Sequence, residues 1–279
     1  HVISMEQLVD QLERGEPIQR GTVVITFDDG YLNNLTVAAP ILAKYNLPAT
    51  IYLATHAIET GENQWIDTLY ATFRARSQHQ LNLPALKNKA PNSTSQWDLT
   101  RESEQRAAYG AIVGYLIEAS VEQKQQLLAT LYEQLAPTAT PPRLTMNWDE
   151  VRQLQQQYPN ITLGVHTVNH LDLSIHTEQT TAEVQTSVQQ VEQATGQRPE
   201  HLAFPYNRYN DRVIELVKAA NIRSAVAEGG DVIVHKGSNR YSLARLDGPQ
   251  SLTMLKSWTN GSFPALSQRL LRQYWDQPH

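Results

Sequence analysis

The chain has 279 residues, of which 41% are hydrophobic and 18% charged, and its formal net charge is −5. This composition is typical of a globular protein, and the acidic balance argues against a nucleic-acid-binding protein, which would carry a basic surface. No apolar run reaches the roughly 18 residues of a spanning helix, and the absence of cysteine excludes disulfides, thiolate metal sites and cysteine nucleophiles.

Short apolar segments alternate with helix-like segments along most of the chain. The predicted strands are 21–29, 48–54, 160–165, 202–204, 222–227 and 241–246, and the predicted helices are 33–45, 147–157, 178–194 and 211–220. Strands that are separated by helices pair in parallel through right-handed crossovers. The pattern therefore predicts an α/β protein, either a barrel or a doubly wound sheet.

Residues 65–142 break this alternation, because they contain no convincing strand. Helices are predicted over 66–76 and 101–135, with the polar stretch 86–99 between them. We interpret 65–142 as a helical insertion between two strands, within one domain that spans 1–279.

The sequence TFDDG at residues 26–30 lies where the first predicted strand should end. Two carboxylates at the end of an apolar strand indicate a functional site. A structural explanation exists as well, in which Asp29 and Gly30 form a turn and Asp28 caps the following helix.

The sequence HTVNH at residues 166–170 follows another apolar strand. Its two imidazoles are four residues apart, so one helical turn would place them on the same side. Neutral imidazole is a good ligand for zinc, cobalt, nickel and iron. The alternative is a pair of surface or capping histidines.

Together these two segments predict a metal site with three protein ligands and open positions. Two histidines and one aspartate at strand ends have the layout of a catalytic zinc site, and the C-terminal ends of parallel strands are where barrel active sites form. The second aspartate would then serve as the base that deprotonates water.

These residues resemble the motifs of the polysaccharide deacetylase family, also called the NodB-homology domain or carbohydrate esterase family four. TFDDG and HTVNH match the first two family motifs, and Phe204-Pro205-Tyr206 matches the end of the third, which forms one wall of the substrate groove. The resemblance covers roughly 23–54 and 147–246. It implies a distorted (β/α) barrel of about seven parallel strands. The insertion, opened by Trp65-Ile66-Asp67, resembles that of longer members that act on exopolysaccharides.

The resemblance also implies a role for each matched residue. Asp28 corresponds to the general base, and Asp29, His166 and His170 correspond to the ligands of a divalent metal ion. Zn²⁺ is the preferred ion, with Co²⁺ or Ni²⁺ as alternatives. Tyr206 corresponds to the residue whose backbone N–H binds the developing oxyanion.

The chain departs from the family pattern near the third motif and near the C-terminus. Many members carry an arginine that steadies the base aspartate at the position of Ala203, and we expect Arg245 to substitute for it, with Arg198 as the alternative. The usual histidine acid is absent from its expected place, which leaves His235 as the candidate. Asn207 occupies a position where glycine is common.

Three residues are assigned to the substrate side of the site, namely Pro205, Asn207 and Arg245. The predicted reaction is metal-dependent removal of N-acetyl groups from amino sugars of the N-acetylglucosamine type in a polysaccharide or glycan. Three alternatives have other chemistries. They are a deformylase or amidase acting on a lipid-linked or small non-peptide C–N substrate, a non-catalytic carbohydrate-binding protein, and a glycosidase. The glycosidase is disfavoured because neighbouring residues on one strand, such as Asp28 and Asp29, point to opposite faces.

The first residue is His1, which we interpret as a processed or trimmed terminus, so a preceding signal or anchor stays open. An extracellular, periplasmic or cell-envelope location is favoured over a cytoplasmic one. The sequence leaves the oligomeric state open.

Overall fold

The structure, a computed structural model, describes residues 1–87, 94–228 and 233–259. Its strands in chain order are β1 (Thr26–Phe27), β2 (Ala49–Leu53), β3 (Gln80–Asn82), β4 (Gln96–Asp98), β5 (Ile161–Val165), β6 (His201–Ala203), β7 (Ser224–Glu228) and β8 (Leu243–Arg245). Six of them form one parallel sheet in the order β1-β2-β5-β6-β7-β8. The sheet curls into a half-barrel surrounded by helices, which confirms the predicted distorted barrel, with six strands in the described residues rather than seven.

The helices lie between and around these strands. They are α1 (Met5–Glu13), α2 (Ala39–Lys44), α3 (Thr55–Thr60), α4 (Trp65–Ala75), α5 (Glu102–Glu118), α6 (Val121–Leu135), α7 (Trp148–Gln157), α8 (Thr180–Thr195), α9 (Asp211–Ala219) and α10 (Leu252–Thr259). A π-helical segment, Asn34–Ala38, leads into α2. Among these described helices, none has both the length and the apolar character that crossing a membrane requires.

The strands are covered on both faces, as is usual for a parallel sheet. All five residues of β2 are buried. On the inner face, Tyr52 is fully buried and packs directly over Gly164 of β5, where an added Cβ would lie only 2.4 Å from the Tyr52 ring. Glycine at this position therefore lets a tyrosine fill the barrel interior.

Helix α1, which we did not predict, packs against the inner residues of the strands. Ser4 caps it, and Gln7 completes a capping box with Ser4. The resulting buried cluster joins the helix to four strands and comprises Ile3, Met5, Leu8, Val9, Tyr52, Ala203, Val226 and Leu243.

Helix α1 also supplies a charged partner to a buried histidine at the start of β6. His201 is 1% exposed. Its Nε2 lies 3.3 Å from Glu6 Oε1 and its Nδ1 lies 2.8 Å from Ser224 Oγ. Burial by itself would raise the pKa of Glu6, but the hydrogen bond and charge of His201 together with local hydrogen bonds lower that pKa to about 2.

We expect Glu6→Gln to lower the free energy of unfolding by about 1 kcal/mol near neutral pH, allowing for solvent screening of this half-buried group. Because the folded-state pKa is lowered from 4.5, the stabilisation is present above pH 4.5 and disappears as the pH falls towards 2. Urea unfolding between pH 2 and pH 7 tests this, with Glu16→Gln as the control. A difference between wild type and Glu6→Gln that does not change with pH would contradict it.

The prediction that residues 65–142 lack strands is wrong, because β3 and β4 pair as an antiparallel hairpin. Each strand has three residues and one buried apolar side chain, Leu81 or Trp97, which is too short to give a strand signal. The helix predicted over 101–135 is two helices, since Ala119 is extended and Ser120 caps α6. The segment has a hydrophobic cluster of its own, which includes Leu69, Phe73, Leu81, Trp97, Ile112, Leu116 and Leu131.

Candidate metal centre

Four strands of the sheet end in polar residues at the same edge. Asp28 and Asp29 follow β1, His166 follows β5, Tyr206 lies three residues beyond β6, and Arg245 is the last residue of β8. Because the strands are parallel, their C-terminal ends lie on one side of the barrel, where active sites of such folds form. The site is thus assembled from residues that are far apart in sequence.

The two aspartates converge on this site because the strand stops before them. Asp29 has a φ of 69° and Gly30 a φ of 74°, and the Gly30 N–H donates to the Asp28 carbonyl at 2.9 Å. Asp28 Oδ2 and Asp29 Oδ1 lie 3.8 and 3.9 Å from His166 Nε2. The expectation that Asp28 and Asp29 face opposite sides is therefore wrong. It no longer counts against a reaction that uses both carboxylates, such as that of a glycosidase.

Asp29, His166 and His170 form a cluster that could hold a metal ion. The Nε2 atoms of the two histidines are 3.1 Å apart, and Asp29 Oδ1 lies 3.5 Å from His170 Nε2 and 3.9 Å from His166 Nε2. In a tetrahedral site with bonds of about 2.1 Å, the donor atoms lie about 3.4 Å apart. The spacing of the three donors fits such a site.

The hydrogen bonding and electrostatics of the cluster also fit a cation. His166 Nδ1 lies 2.7 Å from the Ala203 carbonyl, which places the proton on Nδ1 and leaves Nε2 as a donor to a metal. Burial, then the charges of Asp28 and Asp67, raise the pKa of Asp29 to about 6 despite the opposing effect of His166. A partly buried carboxylate whose ionisation is disfavoured is stabilised in its charged form by a bound cation.

The two histidines approach each other through a loop. The prediction that a helical turn brings them together is therefore wrong. Residues 166–170 have no helical assignment, and both Thr167 (φ 65°) and His170 (φ 49°) are left-handed. Burial first, then the neighbouring His166 and the charge of Lys124, lower the pKa of His170 well below its usual value. The imidazole is therefore neutral, which is the form that binds metals.

Buried groups outside the motif hold this loop in place. Glu183 of α8 is 5% exposed and accepts hydrogen bonds from the backbone N–H groups of Val168 at 2.9 Å and Asn169 at 2.8 Å. It also accepts one from Asn169 Nδ2 at 2.6 Å. On the other side, the N–H of Thr55 donates to the Thr167 carbonyl at 3.2 Å. These contacts fix the segment between the two histidines.

Asp28 is paired with Arg245 in a two-point ion pair. Each terminal nitrogen of Arg245 lies 2.7 Å from one carboxylate oxygen of Asp28, and one of them also donates to Thr26 Oγ1 at 3.2 Å. Arg198, the alternative, donates to the Ala220 carbonyl instead. Burial would raise the pKa of Asp28, but His166 and Arg245 more than compensate and lower it. Asp28 is thereby kept ionised.

The third motif forms a tight turn after β6. Pro205 is buried and begins this turn, in which Tyr206 and Asn207 are both left-handed with φ values of 56° and 58°. The Asn207 N–H closes it by donating to the Phe204 carbonyl at 3.0 Å. Asparagine tolerates this conformation better than most residues, which accounts for its presence where glycine is common.

The Tyr206 side chain joins the metal cluster to the insertion. Its ring meets the His170 ring edge-on with centroids 4.6 Å apart, and its hydroxyl accepts a hydrogen bond from Trp65 Nε1 at 2.7 Å. Near the same place, Gln64 Nε2 lies 3.4 Å from Asp29 Oδ1. The start of α4 therefore borders the site.

Left-handed backbone is concentrated at this site. The described residues include eight non-glycine residues with positive φ. Five of them belong to the site, namely Asp29, Thr167, His170, Tyr206 and Asn207. Such conformations persist only where the surrounding structure imposes them, and they cluster at functional sites.

His235 lies exposed in the segment between β7 and β8. Its Nδ1 accepts a hydrogen bond from the Gly237 N–H at 3.1 Å, and its own N–H donates to Ser238 Oγ at 3.0 Å. Its assignment as the general acid stays a prediction.

Sequence reasoning missed Glu183, Gln64 and Lys124, although all three contact the site or its loops. Glu183 and Lys124 are carried by predicted helices, and a charged residue that is buried by long-range packing looks like any solvated helix residue in the sequence. The Trp65-Ile66-Asp67 sequence was interpreted only as the opening of the insertion, although Trp65 contacts Tyr206.

The family comparison covers most of the chain. A family model described as polysaccharide deacetylase matches residues 15–225. A search of curated proteins found no match.

Several solved structures share the fold. A deacetylase of Streptococcus pyogenes, PplD, solved in complex with acetate, is 18% identical, with a TM-score of 0.55 over 88% of this chain and 73% of that one. A de-N-acetylase from Aggregatibacter actinomycetemcomitans is 16% identical, with a TM-score of 0.54 over 92% and 82%. IcaB from Ammonifex degensii is 12% identical, with a TM-score of 0.56 over 93% and 82%. At these identities the likeness concerns the fold.

Proposed function

Because this chain belongs to the polysaccharide deacetylase family, we propose that it hydrolyses N-acetyl groups on the amino sugars of a polysaccharide, at a divalent metal ion held by Asp29, His166 and His170. The observation that carries the proposal is the convergence of these three donors beside a fourth group, Asp28, which Arg245 holds in its ionised form. Zinc is the preferred ion, because two imidazoles and one carboxylate are a common ligand set of catalytic zinc.

A bound metal ion would supply Lewis-acid polarisation and a lowered pKa of coordinated water. The protein residues have separate tasks. Asp28 accepts the proton of the attacking water, and its lowered pKa keeps it available as a base. Arg245 fixes both carboxylate oxygens, so that the base cannot rotate away from the site.

The charge that develops on the acetyl oxygen needs a hydrogen-bond donor. We assign this task to the backbone N–H of Tyr206, whose left-handed turn lies beside His170. A donor of this kind is worth about 2.7–4 kcal/mol in the transition state. Asn207, which follows it, would lie on the wall against which the sugar rests, and the buried Pro205 begins the turn that forms this wall.

The leaving amine needs a proton, and the sequence assigns its delivery to His235. We expect His235→Asn to lower kcat by about 10²-fold, in the range of a general acid, with little change in metal affinity. Steady-state kinetics of acetate release tests this. Unchanged kcat would remove His235 from the mechanism and leave Asp28, protonated in the first step, as the group that returns the proton.

We expect Arg245→Gln to lower kcat/KM by about tenfold and to move the acid limb of its pH profile to higher pH. Arg245 lowers the pKa of Asp28, so without the guanidinium Asp28 becomes protonated, and inactive as a base, at a higher pH. Arg245→Lys should shift less, because it keeps the charge but loses the two-point contact. Arg198→Gln is the control, and an unmoved acid limb in Arg245→Gln would contradict the pairing as a functional one.

The experiment that tests the proposed function is acetate release from N-acetylglucosamine oligomers by metal-stripped protein, with and without added Zn²⁺, Co²⁺ or Ni²⁺. We expect release that depends on metal. Metal binding without acetate release would favour another acyl substrate, such as a formyl group, or a carbohydrate-binding role. New reducing ends would indicate a glycosidase, and absence of metal binding would overturn the site itself.

A further inference from the structure

Lys124 is a buried charged residue that the insertion contributes to the neighbourhood of the metal centre. It lies on α6 and is 5% exposed. Its Nζ donates to the backbone carbonyl of His170 at 3.3 Å. Burying an ammonium group is costly unless it gains partners in return, so its contacts indicate a specific role.

Two aromatic rings that border the site complete the surroundings of this ammonium group. Lys124 Nζ lies 5.9 Å from the centre of the Trp65 ring and 5.7 Å from that of the Tyr206 ring, within the range of cation–π attraction. These two rings are themselves joined by the hydrogen bond from Trp65 Nε1 to the Tyr206 hydroxyl. One side chain thus contacts the last metal-binding residue of the loop and both aromatic residues next to it.

Lys124 contacts the backbone of His170, which is in the left-handed conformation. His170 has a φ of 49°, and such a conformation needs support from its surroundings. Glu183 holds the preceding part of the loop through the N–H groups of Val168 and Asn169, while Lys124 holds its end through a carbonyl. The negative charges that act on Lys124 come from Glu183 and Asp172, so the loop lies between opposite charges.

We propose that Lys124 is a positioning residue of the metal centre, which fixes the His170 backbone and orients the His170 and Tyr206 rings. The proposal rests on the proposed function in so far as Asp29, His166 and His170 bind a metal. It makes the insertion a working part of the active site, because helix α6 supports a ligand that belongs to the barrel. A chain without this helix would need another support for the same loop.

The test compares Lys124→Met, Lys124→Gln and Lys124→Arg with wild type, in the whole 279-residue chain. Gln125→Met, an exposed neighbour on the same helix, is the matched control. We would measure the Zn²⁺ dissociation constant by chelator competition, the visible spectrum of the Co²⁺-loaded protein, and kcat and KM for acetate release. Lys124→Met should bind Zn²⁺ about 10–100-fold more weakly, as expected when an outer partner of a ligand is lost.

We also expect the Co²⁺ spectrum of Lys124→Met to change and its kcat to fall more than its KM changes. Lys124→Arg should recover most of the affinity, and Lys124→Gln, which keeps a donor but no charge, should lie between the two. Wild-type Zn²⁺ affinity, Co²⁺ spectrum and kcat in a folded Lys124→Met or Lys124→Gln would overturn the proposal. If wild type binds metal without releasing acetate, the proposed reaction fails, while the affinity and spectrum still decide the role of Lys124.

Discussion

Asp28→Asn is expected to lower kcat for acetate release by about 10²–10⁴-fold, the contribution of a general base, while the metal stays bound. The three proposed metal ligands, Asp29, His166 and His170, are other residues, and the amide keeps the size of the carboxylate but cannot accept the proton of water. Asp28 is also the group that Arg245 holds at two points, so its replacement leaves a guanidinium beside a neutral amide. Steady-state kinetics and a metal content assay on the same preparation check both parts of the prediction.

Asp149→Asn is the matched control for this variant, since Asp149 is 86% exposed in its side chain and lies on α7. It should behave like wild type. Full activity of Asp28→Asn would remove the residue from the role of base. Loss of metal together with activity would instead make Asp28 a ligand.

His166→Asn is expected to lower metal affinity by more than the roughly 10–100-fold that an outer partner costs, and to remove acetate release with it. Asparagine is chosen because its amide can still donate to the Ala203 carbonyl, as His166 Nδ1 does at 2.7 Å, while it lacks the Nε2 donor. This choice separates the effect on metal binding from an effect on packing, since His166 is only 2% exposed.

The second readout for this variant is thermal stability. A ligand that binds only the folded protein raises the melting temperature, so added Zn²⁺ should stabilise wild type but not His166→Asn. His79→Asn, an exposed histidine in the insertion, should keep the full metal-dependent shift. Equal stabilisation of His166→Asn and wild type by Zn²⁺ would mean that the ion binds elsewhere.

The sheet could be predicted because its strands are short apolar runs, and two of them, β1 and β5, are followed directly by polar residues. Those polar residues proved informative, since TFDDG and HTVNH mark the ends of β1 and of β5. Parallel pairing then brings them to one edge, whatever their separation along the chain. The position of the site therefore followed from local patterns and one topological rule.

Smaller elements escaped prediction for local reasons. The hairpin of β3 and β4 contains one buried apolar residue in each strand. Helix α1 and the break between α5 and α6 had a readable signal that we did not use. In both places a serine is followed three residues later by a glutamine, the pattern of a capping box, at Ser4–Gln7 and Ser120–Gln123.

The internal geometry of the site depends on backbone conformations and long-range contacts that leave no local pattern. Alternation along a strand placed Asp28 and Asp29 on opposite faces, yet the left-handed φ of Asp29 brings both to His166. The sequence offered two arginines for Asp28 and favoured Arg245, and the structure pairs Arg245 with Asp28 while Arg198 donates to the Ala220 carbonyl. Lys124 reaches the site by tertiary folding alone.

Among the strands that the structure describes, β1 and β8 are the two margins of the curled sheet, at opposite ends of the strand order. Arg245, the last residue of β8, donates to Thr26 in β1 and to Asp28 just beyond it, so its ion pair with the proposed base also joins one margin to the other. Edge strands open at lower cost than the centre of a protein. During gradual denaturation in urea, enzymatic activity should therefore be lost at a lower urea concentration than the helical circular dichroism signal. Separation of β1 from β8 would remove Arg245 from Asp28 while the rest of the barrel is still folded.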